Sequence, residues 1–328
     1  MKHALSPTQI ALLEQLVDGY FHSGQALAGQ LGLSRGAIWQ HVRRLEQVGL
    51  DIYRVPGRGY RLAAPLELLD AERIRARLPV ERREHLTDLQ VLPVTDSTNR
   101  RLLAEDNPGA AACFAEHQTA GRGRRGRQWI TPFGGQLAFS LSWVFDTLPP
   151  DFSALALAIG LGLAGVLRES GSPAVQLKWP NDLVAGGRKL GGILVEVMGE
   201  PPGRTRVVAG VGINWQLPPA MLAELDQPGI DLARLSPAGL PGRNALAADC
   251  LDALMGVCER FAREGFAPFL DVWPAFDALR GRQARVAARD AVYEGVALGV
   301  DAGGALRLRT PAGVQRFFSG DVSVRARP

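Results

Sequence analysis

Gly121-Arg122-Gly123-Arg124-Arg125-Gly126-Arg127 places four arginines and three glycines in seven consecutive residues. Guanidinium groups fork onto carboxylate or phosphate oxygens with paired charge-assisted hydrogen bonds, and glycines let backbone N–H groups come close to a ligand. The composition suits a mobile loop wrapped around an anion. A solvated basic loop or a nucleic-acid patch would have the same composition, so the stretch alone does not choose among them. Gly121, Gly123 and Gly126 also satisfy G-x-G-x-x-G, which in a dinucleotide site follows a strand and opens a helix. Ala111–Ala115 can supply the strand, but Pro132 and Gly134-Gly135 forbid the helix, and strand-like Gln136–Trp143 follows. The dinucleotide reading is rejected. The sequence contains no G-x-x-x-x-G-K-[ST] either, so a nucleotide would be held without a P-loop.

Other stretches carry hydrogen-bonding or charged groups in company. Asp96-Ser97-Thr98-Asn99 follows the strand-like Val91–Thr95 and starts a helix, as an ordinary N-cap cluster also would. Lys178-Trp179-Pro180-Asn181-Asp182 interrupts a strand at Pro180. Through Gly186-Gly187 the chain turns back into Arg188–Val197, which puts Lys189 at the mouth of a hairpin. Arg206–Asn214, with its alternation of glycine and β-branched residues, reads as a further strand.

These groups need elements to position them. Ile10, Leu12, Leu13, Leu16 and Val17 recur at helical spacing up to Gly19. Ser23 can cap a second helix, Gln25–Gln30, and Ser34 a third, Arg35–Val48, across a turn at Gly32. The third carries Arg35, Gln40, Arg43 and Arg44, and Asp51–Leu62 gives two short strands around a Gly-rich turn. Together they spell a winged helix-turn-helix, although Gly36 costs roughly 1 kcal/mol inside a helix and a winged helix can also serve protein contacts alone. Pro65–Leu78 reads as a linker entering a charged helix. Phe152–Leu167 reads as a buried helix capped by Asp151, too interrupted for a membrane span. Helix signals capped near Asn244 run to Phe261, before a break at Trp273-Pro274.

With 328 residues, 46% of them hydrophobic, the chain can bury a large core in two or three domains. Its net charge of +4 fits an anionic partner without requiring one. Cys113, Cys250 and Cys258 have no metal-ligand spacing and are odd in number, which points to a reducing cytoplasm, and the N-terminus is no signal sequence.

Gly121 to Arg127, Lys178-Trp179-Pro180-Asn181-Asp182, Arg188-Lys189-Leu190-Gly191-Gly192-Ile193-Leu194 and Gly210-Val211-Gly212-Ile213-Asn214 stand in the order and spacing seen in biotin protein ligases. With Asp96–Asn99 and the winged helix, nearly the whole chain resembles the family of bifunctional bacterial biotin ligases that are also biotin-operon repressors. Residues 282–324, short strands between Gly and Asp turns, resemble that family's C-terminal SH3-like barrel. The expected fold is α+β: a winged helix over 1–64, a mixed α/β catalytic domain with a β-sheet and helices over 65–278, and a small SH3-like β-barrel over 279–328.

The resemblance implies that biotin's carboxylate attacks the α-phosphate of ATP, with Mg²⁺ arriving on the nucleotide and no metal ligands from the protein. Like charges 4 Å apart cost about 4 kcal/mol at an effective dielectric of 20, so cations belong at the meeting point. By resemblance, Lys189 and Arg122 are the catalytic candidates. Ser97, Thr98, Asn99, Gln118, Arg122, Gly123, Arg124 and Lys189 match biotin-binding positions, and Arg124, Arg125, Arg127, Lys178 and Asn181 match adenylate-binding ones. The arginine loop is expected to close over biotinyl-5′-AMP and keep water from it. A lysine of a biotin carboxyl carrier protein then takes biotin and releases AMP. Ser34, Arg35, Trp39, Gln40, Arg43 and Arg58 are the candidate contacts to a palindromic operator, bound by a homodimer that forms on biotinyl-5′-AMP, with no membrane partner. The sequence departs from the family at Pro218–Ile230, which has no tryptophan to cover adenine, and no nucleotide contact is assigned there. A ligase whose winged helix does not act on an operator, and a biotin-sensing transcription factor without catalysis, are the alternatives; the intact Lys189 and arginine loop speak against the second.

Overall fold

Serine caps start the N-terminal helices. In the computed structural model, which describes residues 5–106, 109–199, 203–223, 225, 227–236, 239–288, 291–318 and 322–326, the hydroxyls of Ser6, Ser23 and Ser34 accept the backbone N–H groups of Gln9, Ala26 and Ala37. These caps open α1 (Pro7–Leu16), α2 (Gly24–Leu31) and α3 (Arg35–Gln47). β1 (Ile52–Val55) and β2 (Gly59–Leu62) form the wing. A Cβ at Gly59 would lie 2.0 Å from the His22 carbonyl oxygen, so only glycine lets the wing approach the start of α2. Leu12, Leu16, Leu27, Ile38, Val42 and Leu45 fill the core of this winged helix. That core has a visitor. Phe133, from the stretch just after the arginine loop, is 5% exposed within it and donates its N–H to Val48 O at 3.0 Å.

α4 (Ala71–Arg77) and α5 (Val80–His85) lead into a seven-stranded sheet. Its strands are β3 (Leu86–Thr95), β4 (Ala110–Gln118), β5 (Gln136–Phe145), β6 (Val175–Lys178), β7 (Asp182–Ala185), β8 (Arg188–Met198) and β9 (Thr205–Asn214), in the order β3-β4-β5-β9-β8-β7-β6. Only the β3–β4 pair is parallel, joined by α6 (Thr98–Ala104). Strand alternation buries both faces of β4: Ala110, Ala112 and Phe114 join the main core, while Ala111 and Cys113 pack under α6 with Leu102.

The main core lies beneath α7 (Leu155–Glu169) and, after the short α8 (Pro219–Ala223) and α9 (Leu232–Leu235), α10 (Arg243–Glu264). By length and composition Phe152–Glu169 could cross a membrane, contrary to the sequence reading, but 56% of it is buried inside the fold, where it serves as a core helix. Two expected caps take other roles. Asp151 precedes a 3₁₀ turn and accepts the Phe266 N–H at 2.5 Å. Asn244 lies within α10, and its amide binds Glu67 Oε1 and Leu68 O, both at 2.8 Å, and accepts the Asp70 N–H at 2.7 Å. The segment after the winged helix is thus stitched to the central core. Beside it Arg243 Nη2 meets Glu116 Oε2 at 2.9 Å, with side chains 1% and 4% exposed, and Glu116 Oε1 takes the Leu69 N–H at 2.6 Å.

The chain closes with β10 (Gln283–Ala288), β11 (Ala291–Val300), β12 (Leu306–Thr310), β13 (Gly313–Phe317) and β14 (Val322–Ala326), an antiparallel sheet ordered β13-β12-β11-β10-β14. Its buried residues continue the central core, and Trp179 Nε1 donates to Gly304 O at 3.0 Å across the seam.

Candidate functional site

The α6 N-terminus enters the sheet beside Gln118 at the end of β4. Ser97 caps the helix, and Thr98 directs both its backbone N–H (2.9 Å) and its hydroxyl (3.2 Å) to Gln118 Oε1. Ser140 of β5 lies 2.7 Å from Thr98 Oγ1 and 2.5 Å from Asn99 Oδ1. The Asn99 amide nitrogen donates to Glu196 Oε2 at 2.8 Å. The result is a buried polar floor, with Ser97, Thr98, Asn99 and Gln118 all under 9% exposed. Two glycines of β9 make room for it. A Cβ at Gly210 would stand 2.0 Å from Asn99 Oδ1, and one at Gly212 2.5 Å from Trp129 Nε1. The steric demand accounts for the Gly-Val-Gly spacing.

Cations line the same space. Lys189 Nζ lies 2.6 Å from Asp182 Oδ1 and 5.5 Å from the Trp129 ring centroid. Arg124 donates to Asn181 Oδ1 at 3.2 Å, and the Asn181 amide is fixed by Ile193 O at 2.8 Å. Burial pulls the Arg124 guanidinium below the usual arginine range, against the opposing pull of the Asp182 carboxylate. Arg122 Nη1 pairs with Glu196 Oε1 at 2.8 Å. The arginine loop has a narrow base, in which the Gly123 N–H donates to Arg127 O (2.7 Å) and the Trp129 N–H to Gly121 O (2.8 Å).

Floor and cations face one cavity of about 790 Å³. Ser97, Thr98, Asn99, Gln118, Arg122, Gly123, Arg124, Arg125, Arg127, Lys178, Asn181 and Lys189 all line it. Every ligase-site candidate from the sequence is therefore brought together. The segment to which no nucleotide contact was assigned lines it as well, through Leu217, Met221, Leu225 and Gln227, and its backbone brackets Lys189: the Lys189 N–H donates to Pro228 O and Lys189 O accepts the Ile230 N–H. Trp129, Asp182, Ser140 and Glu196 were missed. Trp129 adjoins a recognised motif and Asp182 closes one without having been given a role, whereas Ser140 and Glu196 carry no local signal, since partners 41 and 97 residues away define them. Among the described residues no group of three His, Cys, Asp or Glu side chains could hold a metal ion.

On the winged helix, Ser34, Arg35, Trp39, Gln40, Arg43 and Arg58 are all exposed. Arg43 sits 5.3 Å from the Trp39 ring, Arg58 stacks at 4.3 Å on Phe21, and Arg61 lies 4.8 Å from Tyr53. Phe21 and Tyr53, which the sequence did not single out, hold the wing's cations in place.

Known proteins resemble the chain throughout. The biotin/lipoate A/B protein ligase family model matches residues 91–214, an HTH domain matches 8–61, and the biotin protein ligase C-terminal domain matches 281–325. The bifunctional ligase/repressor BirA of Salmonella typhimurium is 39% identical over 320 residues, 97% of each chain. A biotin–[acetyl-CoA-carboxylase] ligase of Paracoccus denitrificans is 36% identical over 248 residues, 71% of this chain and 98% of that one. Among solved structures, the biotin protein ligase of Aquifex aeolicus in complex with biotin and ATP superposes with a TM-score of 0.62 at 25% identity, covering 74% of this chain and all of that one.

Proposed function

The chain belongs to the biotin protein ligase family, in its bifunctional ligase and repressor form, and from that premise we propose how its cavity works. The protein is an ATP-dependent biotin ligase. A carboxylate oxygen of biotin attacks the α-phosphorus of ATP, the bond to the β-phosphate oxygen breaks, and pyrophosphate leaves biotinyl-5′-AMP behind. A lysine amine of a biotin carboxyl carrier protein then attacks the acyl carbon, loses a proton and displaces AMP.

The observation that carries the assignment is a single cavity lined both by buried hydrogen-bonding groups and by cations. The ureido group of biotin, donor and acceptor at once, suits Ser97, Thr98, Asn99 and Gln118. Its carboxylate then points to Lys189 and Arg122, where charge is shared with phosphate as the two anions meet. Arg124, Arg125, Arg127, Lys178 and Asn181 take the adenylate, and Met221 and Leu225 supply apolar cover where the family has a tryptophan. Mg²⁺ enters with ATP, held through the phosphates. Gly123 lets the lid backbone close on the product. Incubating the protein with biotin, ATP, Mg²⁺ and a carrier domain tests the reading, and failure to form biotinyl-5′-AMP would end it.

The protein is also a repressor. Its exposed α3 and wing, Ser34, Arg35, Trp39, Gln40, Arg43 and Arg58, read a half-site. A short half-site gives little specificity, so a palindromic operator and a homodimer assembled on biotinyl-5′-AMP complete the mechanism. The division at 64/65 and 278/279, an SH3-like closure of the last sheet and a cytoplasmic location belong to the same reading. Sedimentation and operator titration at fixed salt, with and without biotinyl-5′-AMP, test it. Operator affinity indifferent to the adenylate would leave a ligase only.

A further inference from the structure

One carboxylate behind the cavity has no part in the chemistry above. Glu196 of β8 lies outside the lining, yet its two oxygens reach two groups that matter. Oε1 is 2.8 Å from Arg122 Nη1 of the lid, and Oε2 accepts the Asn99 amide nitrogen at 2.8 Å. We propose that Glu196 is a positioning residue that joins the lid to the polar floor, presetting Arg122 at the biotin end and fixing which way the Asn99 amide faces.

An ionised carboxylate can only accept hydrogen bonds. Asn99 therefore turns its nitrogen toward Glu196, with the Leu194 carbonyl oxygen as a second, longer acceptor at 3.3 Å, which leaves Oδ1 facing Ser140 at 2.5 Å. Gly210 makes room for that oxygen, since a Cβ there would stand 2.0 Å from Oδ1. Arg122 depends on Glu196 differently. It sits between Gly121 and Gly123 on a basic loop, where the backbone constrains a side chain weakly and neighbouring arginines repel it. A resident counter-anion removes much of the ordering cost before the ligand arrives. The pair is also open to water, with side chains 42% and 21% exposed. A pair so placed is weak enough for Arg122 to share with an incoming carboxylate or phosphate. One residue thus serves the floor and the lid together.

The proposal rests on the ligase reading of the cavity, and its test separates the two. Biotinyl-5′-AMP dissociation and biotin binding are measured for the wild type, E196Q, R122A and the double variant. Glutamine keeps the size of Glu196 but has one acceptor oxygen where two donors must be met. E196Q should release the adenylate about fivefold faster, equivalent to roughly 1 kcal/mol. KM for biotin should rise more than kcat falls, and the melting temperature should stay unchanged. E196D, which restores the charge on a shorter arm, should recover part of the retention. Because only the lid arm of Glu196 runs through Arg122, E196Q should speed release of the adenylate less in the R122A background than in the wild type. Wild-type release by E196Q, or an undiminished E196Q effect in the R122A background, overturns the proposal. So does a lowered melting temperature with equal loss of biotin and adenylate affinity, the mark of a merely structural residue. If R122A itself retains the adenylate normally, the lid reading falls and takes the proposal with it.

Discussion

Glu116 and Glu196 are both glutamates paired with arginine, yet they sit in different media. Arg243 and Glu116 are 1% and 4% exposed, and the carboxylate is further saturated by the Leu69 N–H. Arg122 and Glu196 are 42% and 21% exposed, at the edge of the cavity. Water decides what each pair is for. A sealed pair cannot be broken without stranding a buried charge, so it holds the linker, β4 and α10 in one arrangement. An open pair is weak and exchangeable, which suits a group that must meet a ligand. Lys189 and Asp182, at 19% and 16% exposure, lie between the two.

The sharpest way to break this contrast is to remove one partner of the sealed pair. Glu116→Ala should cost ~3–5 kcal/mol of stability by leaving Arg243 buried and unpaired, measured by denaturant unfolding with biotinyl-5′-AMP absent. A loss under 1 kcal/mol would mean that water reaches the pair. Lys189→Ala should do the opposite, lowering adenylate synthesis by an amount equivalent to ~2.7–4 kcal/mol with little change in unfolding. Near-normal synthesis would remove Lys189 from the chemistry. A third, smaller effect comes from salt. Raising ionic strength from 0.1 M toward 1 M shortens the screening length from about 10 Å to about 3 Å, so adenylate release should quicken while the unfolding midpoint holds. Parallel shifts would erase the distinction.

A further effect, confined to alkaline pH, is expected from the thiols sealed in the core. Burial pushes the Cys113 and Cys258 thiols up to about 12 from an ordinary 9.0. The folded state therefore prefers them protonated, and their contribution to stability is complete below pH 9. It is lost as pH rises from there toward 12. Urea midpoints flat to pH 9 and falling above it, with a shallower fall in Cys113→Ala, would bear this out; no change in slope would assign the alkaline loss to other groups.

What could be read from the sequence follows the range of each interaction. Ser23 and Ser34 bond to backbone only three residues on, so the winged helix was legible in short windows. Lys189 and the arginine loop were legible because charge and glycine cluster along the chain. Glu196 was not, because only the packing of α6 onto the sheet brings it to Asn99. Asn244 had the right residue type for a cap, but the linker claimed its amide. The Met221 and Leu225 wall was hidden for a similar reason: apolar residues in a loop gain meaning only when the fold aims them at a ligand-sized space.

Phe133 sets a condition on dividing this protein into separate tools. It is four residues past Trp129, whose indole lines the cavity, and its ring is buried among the side chains of the winged helix. A shortened biotinylating enzyme made by cutting within the linker would bare Phe133 together with Leu66 and Leu68, turning an internal seam into a sticky surface beside the lid's return limb. Such an enzyme would need a polar residue at 133 and a new support for Val94, which packs against the same cluster. The DNA-reading module is attached by a peg driven in from the catalytic side, and whoever removes the module must also reshape the peg.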